Sequence, residues 1–584
     1  MNNPAEIASE IALKKLYAAI DNKKNFRFEA GAGAGKTFSL IRGLKYLIEK
    51  ESATLLKSNK QIACITFTNV AVDEIIGRID HNPVVFAGTI HAFCWSLIQG
   101  LQKQMCDYIP TISDKWQKRI EDAGGIRRKK IIYDLGYPIV TEKEIYLHHD
   151  DVIKIATFFL ENDKFRSFLF SRFPIIFIDE YQDTNKEFAN SIVKNIIEND
   201  NRFLIGLFGD HWQKIYGSSA CGLITASDDK LEVIGKNANF RSDKKIVDSL
   251  NRMRPELPQS EVDPNSEGNI SVFHSNTWSG SRRDDSPWKE DLPAEVAHKY
   301  LEKTKSELVK EGWSFEPEKT KILMLTNNVL AVEQGYSSIA SIFSYTDEYI
   351  KKENHYISFL IDIVEPVCTL YKNKKYGEMF KTMGIGTFKM RKQEDKITWN
   401  KDLTGLIDLK EIGTIGDVIE YLKTTKRPRI ITKVEDDEKK LEQYLLLEDG
   451  EEKDKASDFY NKISRLKSIP YSEVVSLSNY LDDKTPFSTK HGVKGAQFEN
   501  VLVVCGRGWN NYNWNDFLEW YRLDKPPKGK EDAYERNRNL FYVGCSRPQK
   551  RLALLFTQKL SSSALETLKE WFGVDNIRDL VLDA

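Results

Sequence analysis

The sequence predicts an α/β fold built on parallel strands, and three stretches carry that reading. In RFEAGAGAGKTFSLI, Arg27 to Ile41, a short strand-like run precedes a glycine-rich turn and a helical pattern follows it. In FPIIFIDEYQDTN, the apolar run Ile175 to Ile178 ends in two acids, as a buried parallel strand that delivers side chains to a site does. Later, KILMLTNNVLAVEQGYSSIASIF reads as a strand followed by a helix.

In the first stretch Phe26 and Phe28 form the strand, and Phe38, Leu40, Ile41, Leu44, Leu47 and Ile48 recur at helical spacing. Between them Gly31, Gly33 and Gly35 alternate with Ala30, Ala32 and Ala34. Small residues of this kind let backbone N–H groups close around phosphates. Lys36 is placed for the β- and γ-phosphates and the Thr37 hydroxyl for Mg²⁺. The general pattern has glycine where this chain has Ala30. Such a loop needs a partner acid, and the second stretch supplies two. Asp179 at a strand end suits Mg²⁺, and the adjacent Glu180 suits activation of water against a γ-phosphate.

Composition narrows the class. The 584 residues allow several domains, and 41% hydrophobic with 29% charged residues describes an ordinary folded protein. No run of 18 apolar residues and no N-terminal apolar segment occurs, so the expectation is an untargeted, cytoplasmic chain with no membrane partner. The seven cysteines include no C-x-x-C pair, which speaks against zinc or iron–sulfur modules and a disulfide framework. A net charge of −1 leaves no broad basic face, so any grip on nucleic acid must be a local groove.

The glycine loop AGAGAGKT together with DEYQDTN resembles the UvrD/Rep/PcrA-like superfamily 1A DNA helicases, and further stretches follow in that family's order. ITFTNVAVDEIIGRI is similar to motif Ia, and GTIHAFCWSLI to the Thr-x-His motif after it. GDHWQKIYG is similar to motif III, NFRS to motif IV, STKHGVKGAQFENVLVV to motif V and RNLFYVGCSRPQKRL to motif VI. The resemblance implies ATP and Mg²⁺ as cofactors and single-stranded or tailed duplex DNA as partner. It also implies 3′ to 5′ movement. Gln213 would sense the γ-phosphate, and Arg241 and Arg547 would reach the phosphates across a cleft between two lobes. Phe240 reads as an adenine-stacking ring or as a core phenylalanine. Phe67 and Tyr216 match residues that stack on bases, which suits any sequence because every base has a π-face. Thr68, Thr89, His91, Thr489 and His491 offer polar contacts to phosphates, although a structural role is open for each histidine.

Four departures stand out. No glutamine precedes Lys36, so the family's adenine-reading residue is missing. Ser218 and Ser219 follow motif III in place of Trp and Arg, with Trp212 as either a substitute or a packing residue. Gln497 stands where the family has a ribose-binding glutamate, and Pro548 follows Arg547 in place of alanine.

The family builds two RecA-like parallel-sheet lobes, 1A and 2A, each with a mostly helical insertion. Carried onto this chain, lobe 1A takes residues 1–97 and 173–243, with insertion 1B at 98–172. Lobe 2A takes 244–347 and 485–584, with insertion 2B at 348–484. Residues 276–318, NTWSGSRRDDSPWKEDLP and a charged helix, read as a surface connection, and KWQKRIEDAGGIRRKKIIYDLGY within 1B as helix. The acidic VEDDEKK and the basic KTTKRPRIITK in 2B read as solvated segments. The expected activity is an ATP-dependent, 3′–5′ translocase or helicase. Its rival is a DNA-end-sensing ATPase switch that regulates a partner nuclease of the OLD-like ATPase-nuclease type, as in Gabija-type anti-phage systems.

Overall fold

The computed structural model describes residues 3–582 except 134–137, 216, 218, 286–287, 325–326, 385–391, 448–449, 489–495, 507–511 and 524. Two six-stranded parallel sheets organise the chain. The first holds β1 (Phe26–Ala30), β2 (Ile62–Thr66), β3 (Val85–Thr89), β7 (Ile175–Asp179), β8 (Leu204–Gly209) and β9 (Glu232–Lys236), in the order β3-β2-β7-β8-β1-β9. The second holds β10 (Asn269–His274), β11 (Thr320–Met324), β12 (Phe487–Ser488), β13 (Phe498–Cys505), β14 (Pro548–Phe556) and β15 (Ile577–Asp579), in the order β12-β11-β13-β14-β10-β15. Every pairing in both sheets is parallel. This is the α/β, two-sheet architecture expected of RecA-like lobes. The central strands are buried on both faces, which is why IIFID and LIGLFG read as continuous apolar runs.

The segment between the helices Ile90–Ile98 and His149–Leu160 departs from the sequence reading. It carries a small sheet of β4 (Lys130–Tyr133), β5 (Ile139–Val140) and β6 (Glu144–Leu147), where helix was expected. Gly124 and Gly125 both have positive φ and end the preceding helix Asp114–Asp122. The β-branched pair Ile131-Ile132 then favours a strand.

Residues 276–318 are also more than a surface connection. Their helix Ala294–Lys310 buries Tyr300, Leu301 and Leu308 against the second sheet, with Trp313 beside them. In the helical region between β11 and β12, the charged stretches are solvated on one face, where Arg429 and Lys439 are exposed, and paired internally on the other. Glu438 is buried and accepts Lys423 at 2.6 Å and Lys467 at 2.9 Å, and Arg427 pairs with Asp402. That region has a core of its own, running from Ala331 to Leu477. Among the described residues no helix is long and apolar enough to cross a membrane.

Candidate functional site

The glycine loop leaves the C-terminal end of β1 and enters the helix Lys36–Lys57. Gly33 and Gly35 hold φ of 76° and 72°, a left-handed conformation that glycine adopts without steric cost. The helix begins with no side-chain cap, so its first N–H groups and the positive end of its dipole face the loop. A loop of this shape is a ready site for phosphate.

Asp179 ends β7, beside β8 in the sheet, and Glu180 follows it in a left-handed backbone conformation with φ of 49°. Lys36 Nζ lies 2.6 Å from Glu180 Oε1. Burial pulls the Lys36 ammonium down, but the Glu180 and Asp179 carboxylates outweigh it and hold the group above the ordinary lysine value. Gln182 donates to the other Glu180 oxygen and accepts from the Asp210 N–H at 3.0 Å. Thr37 is half-buried on the first turn of the helix.

The second sheet presents the N-terminal ends of its strands to this loop. Arg547 immediately precedes β14, and its backbone carbonyl accepts from the N–H of Phe498, the first residue of β13. Gln497 is therefore next to Arg547 along that edge, and it is exposed. Arg547 is itself buried and donates from Nη2 to Gln213 Oε1 at 2.9 Å. Gln213 in turn donates to Asp210 Oδ2 at 2.8 Å. Arg241 donates to the Ser546 carbonyl at 2.8 Å. Burial pushes Arg241 down to about 9, with the Arg547 charge adding, and burial likewise pushes Arg547 down to about 10. Two cations held so far below their ordinary value lack sufficient anionic company, and a polyphosphate is the kind of ligand that supplies it.

Motif IV packs directly on the loop. Phe240 N–H donates to the Gly33 carbonyl at 2.8 Å, and Asn239 Nδ2 to the Ala32 carbonyl at 3.3 Å. Phe240 leaves its ring largely exposed, as does Phe38 on the helix's first turn. Between the two rings stands the buried Lys236 at the end of β9, with Nζ 5.5 Å from one ring centroid and 5.6 Å from the other. Lys236 Nζ also donates to Ser39 Oγ at 2.9 Å and to the Gly35 carbonyl at 3.2 Å, and burial pushes it down to about 8. The buried Gln259 donates to the Ala32 carbonyl at 3.1 Å, so a glutamine does brace the loop, but from a position far downstream. Lys236 and Gln259 escaped the sequence reading because neither sits at a diagnostic spacing, and Phe38, read as part of the helix's apolar pattern, is exposed instead.

The candidate nucleic-acid residues of the first sheet share one edge. β2 and β3 are neighbours with Thr66 opposite Thr89, so the helices that follow both strands begin side by side. Thr68 caps the first by accepting from Ala71 N–H at 3.2 Å, and Thr89 caps the second by accepting from Ala92 N–H at 3.3 Å. Phe67, between strand and cap, is 42% exposed. His91 packs edge-on against His149, and burial with the His149 charge holds it down to about 4, so it is neutral at pH 7. Tyr216, Thr489 and His491 lie outside the described residues. Trp212 is buried against Arg254, Arg538 and Tyr542, which makes it a packing residue.

Residues 16–219 match the family model described as an AAA domain, and residues 324–559 match the UvrD-like helicase C-terminal domain. The chain belongs to the UvrD-like helicases. Gabija protein GajB of Bacillus cereus (strain HuB5-5) is 24% identical to this helicase over 96% of the chain and 97% of that protein. A second Gabija protein GajB, from B. cereus (strain VD045), is 29% identical over 33% of the chain and 38% of its own length. ATP-dependent DNA helicase PcrA of Staphylococcus epidermidis is 25% identical over 38% of the chain and 37% of that protein.

Proposed function

We propose that this UvrD-like helicase is an ATP-driven motor that steps 3′ to 5′ along single-stranded DNA and displaces the complementary strand from a tailed duplex. The observation that carries the reading is the buried chain Asp210–Gln213–Arg547, which joins the strand ends of one sheet to the other beside the phosphate loop. Hydrolysis in such a cleft depends on its closure, and closure is a step.

In this reading the backbone from Ala30 to Gly35, with Lys36, cradles the phosphates of ATP. Phe240 and Phe38 flank the base, and Gln497 reaches the ribose. The donor set fits a metal nucleotide, because a hydroxyl and a carboxylate stand on the two elements that meet at Lys36. Mg²⁺, when bound, screens the phosphate charge, and Thr37 and Asp179 would hold it. Glu180 takes the proton from the attacking water. Lys36 exchanges Glu180 for phosphate, which leaves that carboxylate free to act as base. Arg241 and Arg547 stabilise charge that builds on the transferred group.

On the nucleic-acid side, Phe67 and Tyr216 stack on bases, while Thr68, Thr89, Thr489 and His491 contact phosphates. The neutral His91 acts as a hydrogen-bonding group rather than a charge. The turn that carries Gln213 is held from the second lobe, where Asn539 donates to the His211 and Lys214 carbonyls at 3.1 and 3.2 Å. That turn leads within three residues to Tyr216, which supports coupling of nucleotide state to base contact.

The full-length likeness to Gabija protein GajB favours a second reading, an anti-phage ATPase switch that senses DNA ends and regulates a partner nuclease of the OLD-like ATPase-nuclease type. Strand displacement on 3′- and 5′-tailed duplexes separates the two. The motor displaces only the 3′-tailed substrate. ATP hydrolysis on DNA with displacement of neither substrate replaces the motor by the switch.

A further inference from the structure

A third arginine crosses between the lobes, behind the phosphate loop rather than in front of it. Arg254 follows the helix Lys244–Met253, whose apolar face (Ile246, Leu250, Met253) packs with strands of the second sheet. Its guanidinium reaches back to the strand ends of the first sheet and is only 2% exposed. There Nη1 donates to Asp210 Oδ1 at 2.6 Å, and Nη2 lies 3.8 Å from Glu29 Oε2 on β1. The group is sandwiched over the Trp212 ring at 5.2 Å and the Tyr542 ring at 5.7 Å. Glu29 is a buried acid in an otherwise apolar strand position, and it also holds Arg27 at 2.8 Å, the Tyr181 hydroxyl and His211 at 3.3 Å.

Glu29, Asp210 and His211 bring ligand atoms within 4.8 Å of one another, close enough to suggest a cation. The Arg254 guanidinium already provides that positive charge. Asp210 has two oxygens, and the structure divides them: Oδ1 takes Arg254, and Oδ2 takes Gln213. Fixing one oxygen fixes the other, because a carboxylate is a rigid fork. Gln213 is then oriented with Nε2 toward Asp210 and Oε1 toward Arg547.

We propose that Arg254 is a positioning residue for hydrolysis, which acts through Asp210 to orient Gln213 and, through Gln213, to aim Arg547. This rests on the reading of Gln213 and Arg547 as phosphate-contacting groups. Arg254 stands between the helix that packs on the second sheet and a return segment, Gln259 to Glu261, that is hydrogen-bonded to the first, so its hold on Asp210 sets sensor geometry at the junction of the two. Arg254 touches neither the glycine loop nor the base-flanking rings, and its effect therefore falls on kcat rather than on the KM for ATP.

The test is a mutant cycle on the full chain with single-stranded DNA and Mg-ATP, comparing Arg254→Met, Gln213→Ala and the double variant. The expected result is that Arg254→Met lowers kcat at least tenfold, leaves KM within about twofold, and costs nothing further in the Gln213→Ala background. A role in general stability would instead multiply with Gln213→Ala. Arg254→Lys keeps the charge beside Asp210 and should recover part of kcat. If Arg254→Met does not fold, the Arg254→Lys and Gln213→Ala pair carries the same cycle. Wild-type kcat in the folded Arg254 variant, or additive losses in the double variant, overturns the proposal. Normal kcat in Gln213→Ala overturns the underlying reading of Gln213 and the relay with it, and is told apart by that single variant.

Discussion

Glu180→Gln probes the centre of the phosphate site, and its consequences can be worked out from the pairs around it. In the structure Glu180 neutralises Lys36 at 2.6 Å, with side-chain exposures of 26% and 11%. The pair is neither solvated nor sealed. Its loss should cost about 1–2 kcal/mol of stability, between the exposed and fully buried limits. Asp179 and Asp210 still face Lys36, so the ammonium keeps anionic company. Mg-ATP affinity should hold or tighten, because a carboxylate that competes with phosphate for Lys36 is gone. Glutamine cannot accept a proton from water, and turnover should fall at least ~10²-fold, about 2.7 kcal/mol on the barrier. Calorimetric binding of Mg-ATP and phosphate release on single-stranded DNA measure the two arms. Normal phosphate release refutes the assignment of Glu180 as base. Affinity weakened tenfold or more places Glu180 in the cradle instead.

Phe67→Ala should weaken single-strand binding by about 5- to 150-fold, the worth of one base–aromatic stack at about 1–3 kcal/mol. Fluorescence titration with labelled oligonucleotide checks it, and unchanged affinity removes Phe67 from the groove. His91, held down to about 4 against an ordinary 6.5, binds its proton more weakly folded than unfolded. Acidification from about 6.5 to 4 therefore favours unfolding, and His91→Gln should reduce that slope in thermal melts across the window. An unchanged slope means that neighbouring His149, which burial also holds below its ordinary value, carries the acid sensitivity.

The fold class was legible because its signals are periodic and repeated. Continuous apolar runs marked the parallel strands, and glycine alternation marked the loop between β1 and its helix. The small sheet β4-β6-β5 was missed because strands of two to four residues are too short to show a period. Within the site, Glu180 pairs with Lys36, Phe240 bonds the glycine loop and Gln213 meets Arg547, while Phe67, Thr68, Thr89 and His91 stand apart at the β2–β3 edge. What stayed hidden were single residues whose meaning depends on a distant partner. Lys236 and Arg254 look like ordinary surface cations in sequence, yet both are buried. One signal was available: Glu29 interrupts the strand FRFEA, and an acid at a buried strand position demands a partner somewhere in the chain.

The helical region between β11 and β12 has a consequence for how relatives diverge. β11 and β12 are adjacent and parallel, with Ile322 opposite Phe487, so the sheet needs only a crossover of about a dozen residues to join them. The chain places a body there that packs around its own core from Ala331 to Leu477. Substitutions inside that body are answered by its own neighbours and not by the sheet, so it can be lengthened, trimmed or exchanged while the strand ends stay in register. The expectation for relatives is therefore two rates of change, slow where both sheets meet the phosphate loop and fast where the inserted body answers to whatever it must touch.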